Sequence, residues 1–337
     1  MATSQTTPSL LQEEERISQE VRELLSSLPR EDSWRYTPLY QYQGIWYTKI
    51  GLPGTIACQR HFQARDSDIL LATTPKSGTT WLKALAFAIV NRTRYRYPQH
   101  PLLTNNPHKL VPFLEVDLYP DNQIHGPDNI PSPAVICTHI PYMALPQSIK
   151  DSNCKVVYLC RNPKDVFISL WHFITKWTAE TQSYFSLEEA FDLFCAGVTP
   201  FGPFWDHVLG YWKASLEKPE KVMFLKYEDL KREPMVQLKR LAEFLGYPFT
   251  SDEERKEVIH DILRLCSFEN LSNLEVNKTG KFQHRHEYLS GLDYKLFFRR
   301  GEVGDSSNYL TSQMIERLDG IIEEKLQGYD LKFEVSI

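Results

Sequence analysis

At 337 residues, 42% hydrophobic and 24% charged, the chain is ordinary in composition and long enough to bury a substantial core. A formal net charge of −5 excludes the basic surface with which a general nucleic-acid coat displaces counterions, leaving only local basic clusters open. The six cysteines (Cys58, Cys137, Cys154, Cys160, Cys195, Cys266) form no CxxC pair and have no histidine-rich partner segment, which argues against a metal site.

Residues 1 to about 15 are polar and are expected to be disordered. They carry neither an apolar signal core nor an arginine-rich, acid-poor character, and no apolar run reaches bilayer length, so the reading is a cytoplasmic protein with reduced thiols and no membrane partner. "ISQEVRELLSSLP" then sets Ile17, Val21, Leu24, Leu25 and Leu28 at helical spacing, a packing face that Pro29 ends. From residue 68 short apolar strands alternate with helical patterns. "DILLATT" leads into a helix through Val90; "AVICTHI" follows; "KVVYLCR" precedes a helix from Lys164; "KVMFLKYED" precedes one from Pro234 to Leu245. Such alternation predicts an α/β fold, a mainly parallel sheet flanked by helices. Two further helical stretches, "SDEERKEVIHDILRLC" and "LTSQMIERLDGIIEEKL", flank an aperiodic polar segment from about 272 to 309. With no repeat and no low-complexity linker, a single domain over 1–337 is expected.

Ligands of open parallel sheets sit beyond the carboxyl ends of the strands, and each predicted strand delivers a functional group there. The first ends in "TTPKSGTTWLKAL", residues 73–85, which looks like a phosphate loop in altered order, since the lysine precedes the glycine. Gly78 can adopt conformations closed to other residues, Thr79 or Thr80 can cap the following helix, and Lys76 adds a positive charge to its free amides. The plainer alternative is a solvated lysine in a turn. The second strand brings His139, which alone would read as a structural histidine. The third brings Arg161, whose fork suits phosphate oxygens but which could equally pair with Asp165, and Ser169 follows on the next helix. The late "FFRRGEVGD" adds Arg299, Arg300 and Gly301, otherwise a pair of solvated arginines.

Taken in order, "TTPKSGTTWLKAL", "CRNPKDVFISLWHF" and "FFRRGEVGD" resemble the cytosolic sulfotransferases. The likeness runs from about residue 17 to the C-terminus, and "FGPFWDHVLGYWKASLEKPEKVMFLKYEDLK" and "LCSFENLSNLEVNKTGK" are similar to the soluble plant members. The resemblance implies a P-loop-like sulfotransferase fold and transfer of a sulfuryl group from 3′-phosphoadenosine 5′-phosphosulfate (PAPS) to a hydroxyl of a small molecule. It implies that Lys76, Ser77, Gly78, Thr79 and Thr80 hold the 5′-phosphosulfate and that Arg161, Ser169, Arg299, Arg300 and Gly301 hold the 3′-phosphate. Trp81 and Tyr227, with Ser267 and Phe268, would contact the adenine, and His139 would be the catalytic base. No metal is implied, because sulfuryl transfer places less negative charge on the moving group than phosphoryl transfer.

Three departures from the family pattern stand out. Arg300 replaces a usual lysine; Ser306 replaces a tryptophan, which puts the order of residues 300–309 in question; and Cys137 stands where many animal members carry a lysine. The lysine-threonine-valine-glutamate dimer segment of animal relatives has no match, which slightly favours a monomer and leaves the assembly open. For the acceptor, "YQYQGIWYTKIGL", "FISLWHFITKW" and "TPFGPFW" have the composition of a lipophilic pocket or of a core. Plant relatives act on flavonols, hydroxyjasmonates, brassinosteroids and desulfoglucosinolates, and overall likeness leans to a hydroxyjasmonate or flavonoid. The competing functions are a magnesium-dependent P-loop phosphotransferase and a nucleotide-binding protein without catalysis.

Overall fold

The structure is a computed structural model that describes residues 19–34, 37–95, 98–120, 133–178, 185–283 and 289–333. The disorder expected for residues 1–15 and the place of Ile17 lie outside these. The helical stripe near the N-terminus forms over residues 19–27, burying Val21 with Leu24, Leu25 and Leu28 packed beside it. Strands β1 (Arg30–Glu31), β2 (Leu39–Tyr42) and β3 (Ile45–Thr48) follow as an antiparallel meander that the sequence reading did not anticipate. Tyr42 pairs with Ile45 across the two-residue turn Gln43-Gly44, where both residues have positive φ (51° and 80°), the requirement of a tight hairpin turn.

The main sheet has the expected four strands, β4 (Ile69–Thr73), β5 (Val135–Thr138), β6 (Lys155–Cys160) and β7 (Val222–Lys226), ordered β5-β4-β6-β7 and all parallel. Successive side chains of a strand point to opposite faces, and the core divides accordingly. Leu70, Ala72, Val156 and Tyr158 join one cluster, under the helices Pro163–Thr178, Phe204–Glu217 and Ser312–Leu326. Ile69, Leu71, Val157 and Leu159 join the other, under Thr79–Asn91, Pro234–Phe244 and Val258–Leu265. The stretch expected to be one helix after residue 251 is two, Ser251–Arg255 and Val258–Leu265, because Glu257 between them is left-handed (φ 57°). Among the described residues no helix is long and apolar enough to cross a membrane, and all six cysteines are buried and unpaired.

Candidate active site

β4 ends at Thr73, and the chain turns through Lys76 (φ 71°) and Gly78 (φ 104°) into the helix Thr79–Asn91. Gly78 is required twice over. Its φ is left-handed, and a Cβ there would stand 2.8 Å from the Tyr227 ring. Thr79 Oγ1 ties back to Thr73 Oγ1 at 2.7 Å, so the helix N-terminus is locked to the strand end. Lys76 Nζ lies 4.0 Å from the Phe173 ring centroid. Burial, with Arg299, Arg161 and Lys176 nearby, lowers its ammonium to about 7.

On the neighbouring strand, the half-buried His139 follows β5. Its Nδ1 is 2.8 Å from the Thr73 carbonyl oxygen, which can only accept, so the proton sits on Nδ1 and Nε2 keeps its lone pair. Burial holds the imidazole neutral, at about 3. Its backbone is gripped from both sides. The amide donates to Glu115 Oε1 at 2.8 Å, and the carbonyl accepts from His207 Nε2 at 2.8 Å. Glu115, on the π-helical turn Leu114–Leu118, also accepts from Thr138 Oγ1 at 2.8 Å and is raised by burial to about 7.

Arg161, past the end of β6, lies with its guanidinium 4.5 Å above the Tyr227 ring and donates to the Glu302 carbonyl at 2.6 Å. Tyr227, at the end of β7, donates to the Gly301 carbonyl at 2.9 Å and meets Trp81 edge-on at 5.4 Å. Arg299 and Arg300 both reach Asp305. The buried Nε atoms of Arg161 and Arg299 have no hydrogen-bond partner among the described residues, an arrangement that suits an anion supplied from outside. Asp165 holds this late loop in place: its oxygens accept from Gly304 N at 2.8 Å and from Ser306 N at 2.9 Å. The question raised by Ser306 is thereby answered, since this small buried residue is anchored through its backbone.

These groups meet in one cleft of about 290 Å³, lined by Lys76, Gly78, Thr79, Thr80, Trp81, His139, Arg161, Ser169, Tyr227, Phe268, Arg299, Arg300 and Gly301. Two residues expected there are not in its lining. Ser77 is buried with its hydroxyl bonded to Thr74, and Ser267 caps the helix Phe268–Asn273 by accepting from Asn270 N at 3.1 Å. The cleft continues past His139 into an apolar end with Phe113, Phe173, Ile174, Trp177, Phe201 and Phe297. The stretches read as pocket or core divide between the two: Thr48 and Ile50 line the cleft while Tyr47 is core, Phe173 and Trp177 line it while Phe167 is core, and Phe201 belongs to both. Lys83, His108 and Glu115 were not anticipated. Lys83 is the one charge in an otherwise apolar run, the signal that could have exposed it.

A phosphate-type loop at a strand end, faced by an imidazole and by arginines from two other segments, defines an α/β group-transfer enzyme of the P-loop-like class. The sulfotransferase domain family matches residues 66–330. Cytosolic sulfotransferase 13 of Arabidopsis thaliana is 50% identical over 335 residues, 99% of either chain, and cytosolic sulfotransferase 12 of the same plant is 48% identical over 336 residues, again 99% of either chain. Among solved structures, an Arabidopsis thaliana protein described as a sulphotransferase superposes with a TM-score of 0.72 at 40% identity, covering 99% of this chain and 100% of that one. A mouse sulfotransferase complexed with PAP gives 0.66 at 26% identity, covering 87% of this chain and 95% of that one. The chain belongs to the plant cytosolic sulfotransferase family and is a PAPS-dependent sulfotransferase, neither a phosphotransferase nor an inert nucleotide binder.

Proposed function

We propose that the enzyme, folded as one domain and acting in the cytoplasm without a metal, sulfates a hydroxyl of a small lipophilic metabolite with His139 as the base. The observation that carries this reading is that a neutral imidazole with a free Nε2 lines the same cleft as Lys76 and the arginines. In this reading the amides of Ser77, Gly78 and Thr79, with Lys76 and Thr80, hold the 5′-phosphosulfate, and Arg161, Ser169, Arg299, Arg300 and the Gly301 amide hold the 3′-phosphate. Trp81, Tyr227 and Phe268 enclose the adenine, while Ser267 acts through the helix it caps. PAPS, when bound, supplies an activated sulfuryl group. His139 Nε2 takes the acceptor proton, and Lys76 neutralises charge on the departing phosphate oxygen. The orphaned Nε atoms and the glycine cradle fit such a ligand.

The apolar end supports a lipophilic acceptor, of the flavonoid, hydroxyjasmonate or brassinosteroid kind, whose hydroxyl would enter beside His139. Cytoplasmic residence is drawn from relatives named as cytosolic. Thermal shift with adenosine 3′,5′-bisphosphate against ATP plus magnesium tests the donor, because a ligand of the folded state raises Tm. The bisphosphate should stabilise the protein more at equal concentration. Labelled PAPS offered with a panel of hydroxylated plant metabolites then tests the acceptor; transfer only to hydrophilic sugars would sink the lipophilic assignment.

A further inference from the structure

Behind the phosphate loop lies a polar chain that the proposed reaction does not yet use. Lys83 is fully buried, with its Nζ 3.3 Å from the Phe113 ring centroid and 3.1 Å from His108 Nδ1. The other nitrogen of the same ring, His108 Nε2, is 2.9 Å from Thr80 Oγ1. Thr80 and Lys83 are three residues apart on the helix Thr79–Asn91 and so share a face, and His108 bridges them from the short helix Pro107–Leu110. The ring cannot swing freely. The His108 amide donates to Asn106 Oδ1 at 2.9 Å, Asn106 is tied to Asn277 at 2.8 Å, and Phe297 packs 4.4 Å from the imidazole centroid. Among the described residues no other hydrogen bond is made by the Lys83 ammonium or the Thr80 hydroxyl, and Thr80 and His108 both line the cleft.

A buried ammonium on an apolar helix is expensive to desolvate, and methionine would fill the space over Phe113 without that penalty. The position therefore needs a reason beyond packing. We propose that Lys83 is a positioning residue for the 5′-phosphate of the donor, acting through His108 and Thr80. Its ammonium donates to His108 Nδ1, which fixes the ring as the Nε2–H tautomer. That N–H donates to Thr80 Oγ1, and the threonine hydrogen is left to donate into the cleft, where the phosphate oxygens lie in the donor-site assignment on which this inference rests. The relay thus conveys a buried positive charge to the anion without placing the lysine in contact with it.

The test compares adenosine 3′,5′-bisphosphate with adenosine 3′-monophosphate, which lacks the 5′-phosphate, by isothermal titration calorimetry. Loss of a hydrogen bond to a charged group corresponds to roughly tenfold or more in affinity. Lys83→Met and His108→Leu should weaken the bisphosphate about tenfold and leave the monophosphate unchanged, on the same scale. His108→Gln should restore binding to within about threefold of wild type, because one amide can accept from Lys83 and donate to Thr80 at once. Should Lys83→Met fail to fold, the two His108 variants decide the matter. Equal losses in His108→Gln and His108→Leu, parallel losses for both ligands, or no loss at all would overturn the relay. A wild-type protein that binds the two ligands equally would instead overturn the donor-site assignment beneath it.

Discussion

The Nδ1–H of His139 donates to the backbone oxygen of Thr73, 2.8 Å away on the adjacent strand. This one bond decides which ring nitrogen is free, and it couples the imidazole to the residue from which the phosphate loop departs. If Nε2 is the base, His139→Ala should lower kcat by about 10²–10⁴-fold while the Kd for adenosine 3′,5′-bisphosphate stays within about threefold. Burial keeps the imidazole near 3, so its protonation should not limit turnover of the free enzyme between pH 5 and 7. A kcat/KM profile with an acid limb near pH 6.5 that disappears in a histidine variant would contradict the geometry.

Lys76 titrates from the opposite side. Burial and three neighbouring cations lower its ammonium to about 7, so in the free protein the charge fades as pH rises through neutrality. An anionic ligand favours the charged form, so binding above pH 7 takes up a proton, and the Kd of the bisphosphate should rise by up to about tenfold per pH unit from 7 to 9. Calorimetry in buffers of differing ionisation enthalpy reads the proton uptake directly. In Lys76→Met both the slope and the uptake should vanish; a flat Kd in the wild type would remove the case for Lys76 on the phosphate.

How much of this was visible in the sequence depends on where each residue's information lies. The four parallel strands were legible because buried strands read as short apolar runs, and Lys76, Gly78, His139 and Arg161 because they follow those runs at strand ends. The β2–β3 hairpin was missed: its turn is Gln43-Gly44, a weaker signal than Asn-Gly, and its aromatics suggested a pocket or a core rather than a strand pair. The capping role of Ser267, whose hydroxyl accepts from the Asn270 amide, was not read from the sequence. Lys83, His108 and Glu115 acquire meaning only when the segment 106–118 folds beside the loop, a long-range event with no periodic trace.

Asp165 does not line the cleft but holds the loop that carries the arginines proposed for the 3′-phosphate. Its carboxylate accepts from the amides of Gly304 and Ser306 and pairs with Arg161. In Asp165→Asn only one oxygen can accept, so the loop carrying Arg299 to Gly301 should loosen. Discrimination between adenosine 3′,5′-bisphosphate and adenosine 5′-monophosphate should fall by about tenfold or more, with the monophosphate itself little changed. Equal weakening of both nucleotides would show that Asp165 supports the whole fold and has no particular bearing on that end of the cleft.

Gly78 tests whether the loop's shape or its charge dominates. Alanine there meets two obstacles, a left-handed backbone that disfavours a side chain by about 1–2 kcal/mol and the Tyr227 ring at 2.8 Å, where overpacking adds about 1–3 kcal/mol. For a chain of this size the sum should lower Tm by roughly 3–7 °C. Tyr227 is held by Gly301 and stacked under Arg161, so a displaced ring should also weaken bisphosphate binding. Tyr227→Leu in the Gly78→Ala background separates the two terms: relief of the clash restores part of the stability, and the backbone term remains. If the double variant is no more stable than an additive sum of the singles, the ring is not what excludes a side chain at position 78, and the left-handed turn alone dictates the glycine.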